Sequence, residues 1–331
     1  MRKVLSILLC AVCFLTLCTA CGTKGGTDTA SGSGVTLDTV HMGTGGSTGT
    51  YYAFSQVVGQ IIGDSTGYKF DVATSGGSKD NIESLVAGTY DMAIVQNDVM
   101  SYAYNGKDMF DGKAIKGFSV IGSVYVETVQ IIAKANSGIE KVGDLKGKRV
   151  SVGDAGSGVE FNARQILDCA GIDMEKDIVK NNLSFGDSAS ALKDGNIDAF
   201  FCVAGAPTTA ITELATNTAI TAIALDDDMI KTLKSKYSFY AEDTITHDDY
   251  SFISEATPVK AVGVMATYIV SDDLSEEQVY KITKALWEGK DKISAAHAKG
   301  KEMDIKLAVS SLGGVPLHKG AEKYYKEAGI I

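Results

Sequence analysis

The sequence predicts an α/β fold made of two similar lobes around a cleft. Three observations carry that reading. Short apolar runs alternate with segments of helical spacing along most of the chain. The alternation runs through twice. And residues 85–95 (Leu-Val-Ala-Gly-Thr-Tyr-Asp-Met-Ala-Ile-Val) are echoed by residues 192–202 (Leu-Lys-Asp-Gly-Asn-Ile-Asp-Ala-Phe-Phe-Cys). Each echo reads as a helix end, a Gly suited to a left-handed C-cap, a polar residue, an aliphatic or aromatic one, Asp, and a buried strand. A polar or Gly-rich turn follows each strand: Gln96-Asn97-Asp98 and Ala204-Gly205-Ala206-Pro207. In open α/β sheets, turns at strand carboxyl ends line the ligand crevice.

Taken in order, Val35 to Met42 alternates weakly as a strand and ends in the Gly-rich run 43–49. Tyr51 to Ile62 has helical spacing, Tyr68 to Thr74 is a short strand, Asn81 to Ala87 a short helix and Tyr90 to Gln96 a buried strand. Phe118 to Tyr125 and Glu127 to Ala133 read as two successive strands. The second pass gives strand Arg149 to Gly153, helix Val159 to Ala170, a short strand at Leu183 to Phe185, helix Ser188 to Lys193 and strand Ile197 to Val203. Helix Thr208 to Leu214, strand Ala219 to Leu225 and helix Asp226 to Tyr237 follow. Ala261 to Val270 is apolar and strand-forming. Ser275, with Glu276 and Glu277 behind it, starts a helix through Trp287. The tail from Ala308, with helix Ala321 to Ala328, needs an apolar partner and is expected to return to the first unit. A largely parallel sheet is expected.

Composition narrows the function. The 331 residues carry 31 Lys and Arg against 41 Asp and Glu, a net charge of −10, so no basic surface is available for nucleic acid. Only the N-terminus has a sustained apolar run, which excludes a multi-pass membrane protein. Arg2 and Lys3 precede the apolar stretch Val4 to Leu17, and Cys18-Thr19-Ala20-Cys21-Gly22 has the form of a bacterial lipobox. Residues 1–20 are read as a lipoprotein signal peptide, Cys21 as the lipid attachment point and residues 21–34 as a flexible tether. The expected location is the outer face of the cell membrane. Cys169 and Cys202 would remain, in apolar surroundings, as buried thiols or as a disulfide.

The run Gly43 to Gly49 is the strongest local candidate for a site, as a ligand loop or a plain turn, because bare backbone at a helix start favours an anion. It lacks the Lys-Ser/Thr ending of a nucleotide loop and the spacing of a dinucleotide fingerprint. Ser75 to Ser78 and Gly156 to Gly158 are weaker versions of the same signal. Gly45-Gly46-Ser47-Thr48-Gly49 matches a nucleophile elbow formally, but nothing ties an acid and a histidine to it. The four histidines form no metal-ligating motif, the acidic run Asp226 to Asp228 reads as a solvated surface, and no metal, cofactor or catalytic residue is expected.

The run Gly43-Thr44-Gly45-Gly46-Ser47-Thr48-Gly49-Thr50-Tyr51-Tyr52 resembles the opening signature of the TAXI family, extracytoplasmic solute receptors of TRAP-type transporters. Thr74 to Ser78 with Asn81, Leu85 to Asp91, Val95 to Asp98, Leu145 to Gly153 with Gly156 to Gly158, and Asp198 to Phe201 with Gly205 and Pro207 resemble it further, over essentially the whole chain after the tether. The resemblance implies a type II periplasmic-binding-protein fold, with residues 35–127 and 259–331 as lobe 1 and 128–258 as lobe 2. It implies crossings near Val124 to Val129 and Thr257 to Val262, and a monomer that captures a small organic acid or amino acid, glutamate or a relative, for TRAP permease subunits. The ligand contacts it implies are Gly45, Gly46, Tyr51, Tyr52, Ser75, Gly77, Ser78, Gln96, Asp98, Ser157, Gly158 and Pro207. Arg149 and Arg164 are the only arginines beyond the signal, and neither is placed as a carboxylate clamp. A surface interaction protein, a sensory receptor signalling to a kinase and an ABC-type importer receptor are the other classes compatible with the sequence.

Overall fold

The computed structural model describes residues 38–331; the expected signal peptide, Cys21 and the tether lie outside them. Strands β1 (Thr39–Gly43), β2 (Lys69–Ala73) and β3 (Met92–Gln96) alternate with helices α1 (Thr50–Thr66), α2 (Ser78–Val86) and α3 (Asn97–Asn105). β4 (Phe118–Lys134) leads to β5 (Arg149–Ser151), α4 (Gly158–Cys169), β6 (Val179–Asn181), α5 (Phe185–Asp194) and β7 (Ala199–Ala204). Then come α6 (Thr209–Asn217), β8 (Ile220–Ala222), α7 (Asp227–Lys236), β9 (Ala241–Ile245) and β10 (Val259–Ser271). The chain closes with α8 (Glu276–Glu288), α9 (Lys290–Ala296) and α10 (Lys319–Glu327).

The main strand order is β2-β1-β3-β10-β4-β7-β5-β6, with β8 beside β4 and β9 beside β10. Read from either edge, the same motif appears: β1 and β5 are the centres, β2 and β6 their outer partners, β3 and β7 their inner ones. Those pairs are parallel. β10 and β4 run antiparallel to each other and to every other neighbour, so the sheet is mixed where a largely parallel one was expected. The reason is that β4 and β10 return through the sheet as long strands instead of being fed by a crossover helix.

β4 is one strand of 17 residues where two were read. Thr128 lies at its exchange point, opposite Gly263 on β10 and Ala204 on β7. β10 exchanges β9 for β3 between Gly263 and Ala266, somewhat beyond the expected Thr257 to Val262. The expected lobe borders thus fall inside β4 and at the first residue of β10. Leu183 to Phe185, read as a strand, instead leads into α5, where the Ser184 hydroxyl caps the Asp187 N–H.

Apolar burial supplies the cores, at about 1.5–3 kcal/mol per large side chain. Two clusters draw on residues from 40 to 125 and from 266 to 325. Two others draw only on residues from 129 to 264. α8 shows the local logic. Ser275 and Gln278 form a capping box, and Val279, Ile282, Leu286 and Trp287 bury one face. The tail does return to the first unit: Trp287 Nε1 donates to Tyr325 Oη at 2.8 Å, and Tyr325 Oη donates to the Ile121 carbonyl on β4 at 2.8 Å. Cys169 and Cys202 are free thiols.

Candidate functional site

The carboxyl ends of β1, β2, β3, β5 and β7 meet around a cavity of about 60 Å³, several times the space one water needs. Its wall includes Gly45, Gly46, Gly49 and Thr50 before and at the start of α1, Ser75 to Ser78 before α2, and Asp154, Ser157 and Gly158 before α4. Tyr51, Gln96, Glu127, Val159, Phe185, Val203 and Ala204 complete it. The wall therefore takes residues from both halves of the sheet.

Three helices start at this wall. No side chain caps α1 at Gly49 or α2 at Gly77, and at α4 the Ser157 hydroxyl takes the Glu160 N–H. Helix N-termini carry partial positive charge and free N–H groups, so three of them in one wall favour a ligand with negative charge. Gly77 has φ +96° and ψ −156°, a conformation that an L side chain resists, and it lets the chain turn directly from β2 into α2.

The loops are braced from behind. Ser75 Oγ donates to the Thr44 carbonyl at 3.0 Å and accepts the Gly77 N–H at 3.1 Å. Asn81 Nδ2 donates to the carbonyls of Thr44 and Ile94, at 2.6 and 2.8 Å. Ser78 Oγ accepts the Gln96 N–H at 3.0 Å.

Contacts across the cleft hold the halves together. Thr50 Oγ1 donates to the Gly205 carbonyl at 2.7 Å, and the Ala210 N–H donates to the Thr48 carbonyl at 3.2 Å. Gln96 Nε2 donates to Asn162 Oδ1 at 2.8 Å, and Asn162 Nδ2 donates to Asp98 Oδ2 at 3.0 Å and to Tyr240 Oη at 2.8 Å. Gln96 packs so closely on Gly158 that a Cβ there would stand 1.5 Å from Gln96 Oε1.

The electrostatics of the wall are those of buried acids. Glu127 is 2% exposed, and its Oε2 accepts the Tyr51 hydroxyl at 2.6 Å. Burial raises the Glu127 carboxyl well above the usual carboxylate range, and the Tyr51 hydrogen bond opposes this only in part. Burial also raises Asp154. Behind the wall, burial pushes the Asp98 carboxyl up to about 6 against its hydrogen bonds from Asn162 and the Val99 N–H. Lys299 is buried and pairs with Glu302.

Of the sequence-derived residues, Gly45, Gly46, Tyr51, Ser75, Gly77, Ser78, Gln96, Ser157 and Gly158 line the cavity. Tyr52, Asp98 and Pro207 lie outside its lining: Asp98 is buried in the network with Asn162, and Pro207 is exposed. Glu127, Asp154 and Phe185 join the wall without having been singled out. An acid in the middle of the apolar run 118–133 is the signal that Glu127 offered.

Among the described residues no group of His, Cys, Asp and Glu is arranged to hold a metal ion, and no helix is long and apolar enough to cross a membrane. Solved structures share the fold at low identity. An ancestral arginine-binding protein bound to arginine is 18% identical, with a TM-score of 0.51 over 79% of this chain and 97% of that one. The alkanesulfonate-binding protein SsuA from Xanthomonas axonopodis pv. citri, bound to MOPS, is 14% identical, with a TM-score of 0.52 over 88% and 84%. A structure described as a periplasmic transporter is 16% identical, with a TM-score of 0.54 over 88% and 94%. These likenesses and the curled mixed sheet flanked by helices identify the type II periplasmic-binding-protein architecture. Residues 42–329 match the NMT1-like family, and the chain belongs to that family.

Proposed function

We propose that this protein is an extracytoplasmic receptor that binds a small organic solute, glutamate or a related amino acid or carboxylate, without transforming it. The carrying observation is the cavity between the halves of the sheet, where three helix N-termini meet buried polar side chains. Uncapped N–H groups suit a carboxylate, and the cavity is walled by loops from both halves of the sheet. The arginine-bound and MOPS-bound relatives support solute capture in this architecture. The resemblance of the Gly43 to Tyr52 run to TAXI receptors supports delivery to a TRAP permease, and the lipobox supports anchoring through Cys21. The halves would open and close about β4 and β10, with solute favouring the closed form.

A thermal-shift screen of the detergent-solubilised full chain against L-amino acids, dicarboxylates, 2-oxoacids and sugars tests the reading. Solute at one hundred times its Kd adds about 2.7 kcal/mol of stability. A saturable rise with one chemical class is the expected result; a flat response to the whole panel counts against the receptor. Palmitate labelling that disappears in Cys21→Ser tests the anchor.

A further inference from the structure

We infer that Glu127 is the seat of a ligand ammonium group, so that the cavity selects zwitterionic amino acids over the same acids lacking the amine. This rests on the solute-receptor reading above and names the chemistry of its second pole. Glu127 lines the cavity and is 2% exposed, and only its Oε2 is engaged, by Tyr51. Its Oε1 has no hydrogen-bond partner among the described residues. Gln96 lines the same cavity at 2% exposure, and its buried Oε1 has no donor either.

A buried acceptor without a donor, as at Gln96 Oε1, is costly, and Glu127 adds a carboxyl oxygen on the same wall that no protein donor engages. An ammonium brings three N–H donors and one positive charge, which meets both needs; a hydroxyl brings one donor and no charge. The helix N-termini elsewhere in the wall take the carboxylate, so the cavity offers a pole of each sign.

The groups that act electrostatically on Glu127 are Tyr51 from α1, Asp98 from α3, Tyr125 from its own strand, Cys202 from β7 and Lys299. Lys299 is the one cation among them and is paired with Glu302. Burial therefore makes Glu127 harder to ionise than an ordinary carboxyl, and an arriving ammonium favours its charged form and the release of protons to the buffer.

The test is calorimetry on the solubilised full chain near neutral pH, in two buffers of different ionisation enthalpy. The probes are L-glutamate with glutarate, L-leucine with 4-methylpentanoate, and L-alanine with propanoate. In at least one pair the amino acid should bind about 100-fold more tightly than its partner and release a proton on binding. Glu127→Gln should weaken that amino acid by about 30-fold and leave the amine-free acid within about threefold. Equal affinity within every pair, or an unchanged preference in Glu127→Gln, overturns the assignment of Glu127 while the receptor stands. So does capture of sugars or plain carboxylates alone. Failure of every solute class overturns the receptor reading as well. If Glu127→Gln does not fold, the preference and the proton count of the unmodified protein decide.

Discussion

Asp91 and Asp198 occupy equivalent places in the two halves of the sheet. The Oδ2 of each accepts a backbone N–H at 2.8 Å, from His41 on β1 and from Arg149 on β5 respectively. Each Asp also gives its own N–H to the carbonyl of that same residue, at 2.9 and 2.8 Å. The double link fastens the start of β3 to β1 and the start of β7 to β5. It is the structural content of the Asp shared by the two echoed segments.

Asp91→Ala should therefore lower stability by about 1 kcal/mol, because the His41 N–H loses its acceptor. Asp198→Asn should show a pH effect as well. The Arg149 hydrogen bond holds the Asp198 carboxyl below the usual carboxylate range. A depressed value gives stability that is present above about pH 4 and lost as pH falls through the native value. Urea midpoints on either side of that window should converge for wild type and Asp198→Asn in acid and separate near neutrality.

Asp98 should behave with the opposite sign. Its carboxyl is raised to about 6, mainly by burial. The native state holds this proton more tightly than the unfolded chain, so the contribution is most favourable below about pH 4 and is lost as pH rises through about 6. The size is about 1–3 kcal/mol. Asp98→Asn should remove that part of the slope in urea midpoints taken from about pH 4 to 7; an unchanged slope would assign it to another group.

Gly158→Ala should weaken solute binding. A Cβ at this position would stand 1.5 Å from Gln96 Oε1 and 2.6 Å from its Cδ, while Asn162 holds the far side of the same amide. Gln96 must leave its place or the halves must part. The expected cost is about 1–3 kcal/mol in stability and about 100-fold in affinity, read by thermal unfolding and calorimetry. Binding unchanged from wild type would mean that Gln96 can relocate freely.

Tyr325→Phe should cost about 2 kcal/mol. The hydroxyl joins Trp287 Nε1 to the Ile121 carbonyl, and all of these groups are buried. Removing it leaves a donor and an acceptor unpaired in one step. Chemical denaturation of the variant checks the value.

The echoed segments were legible because their signal is local. Gly88 and Gly195 both take positive φ, at +80° and +77°, the first after Ala87 at the end of α2 and the second directly after α5. The loops at 43–49, 75–78 and 156–158 were legible for the same reason, since bare backbone before a helix leaves a compositional trace. β4 was not. Glu127 and Thr128 interrupt its apolar pattern, and their burial against Tyr51 and Asp243 depends on residues 76 and 115 positions away. Tyr52, Asp98 and Pro207 show the converse. Each sits within or beside a loop with a site-like pattern, but which way a side chain faces depends on packing that the local pattern does not carry.

The strand order has a consequence for how the chain matures. The cores built from residues 129 to 264 are complete once β10 has begun. The other half cannot close until Trp287, Ala321 and Tyr325 arrive, nearly at the last residue. In a chain that emerges amino end first, the middle is therefore the first part able to bury its apolar surface. The opening segment, with the glycine loop of the site, must wait until almost the whole chain has emerged. A chain stopped before α10 would carry a finished second half and an open first one, with the cavity wall only half assembled.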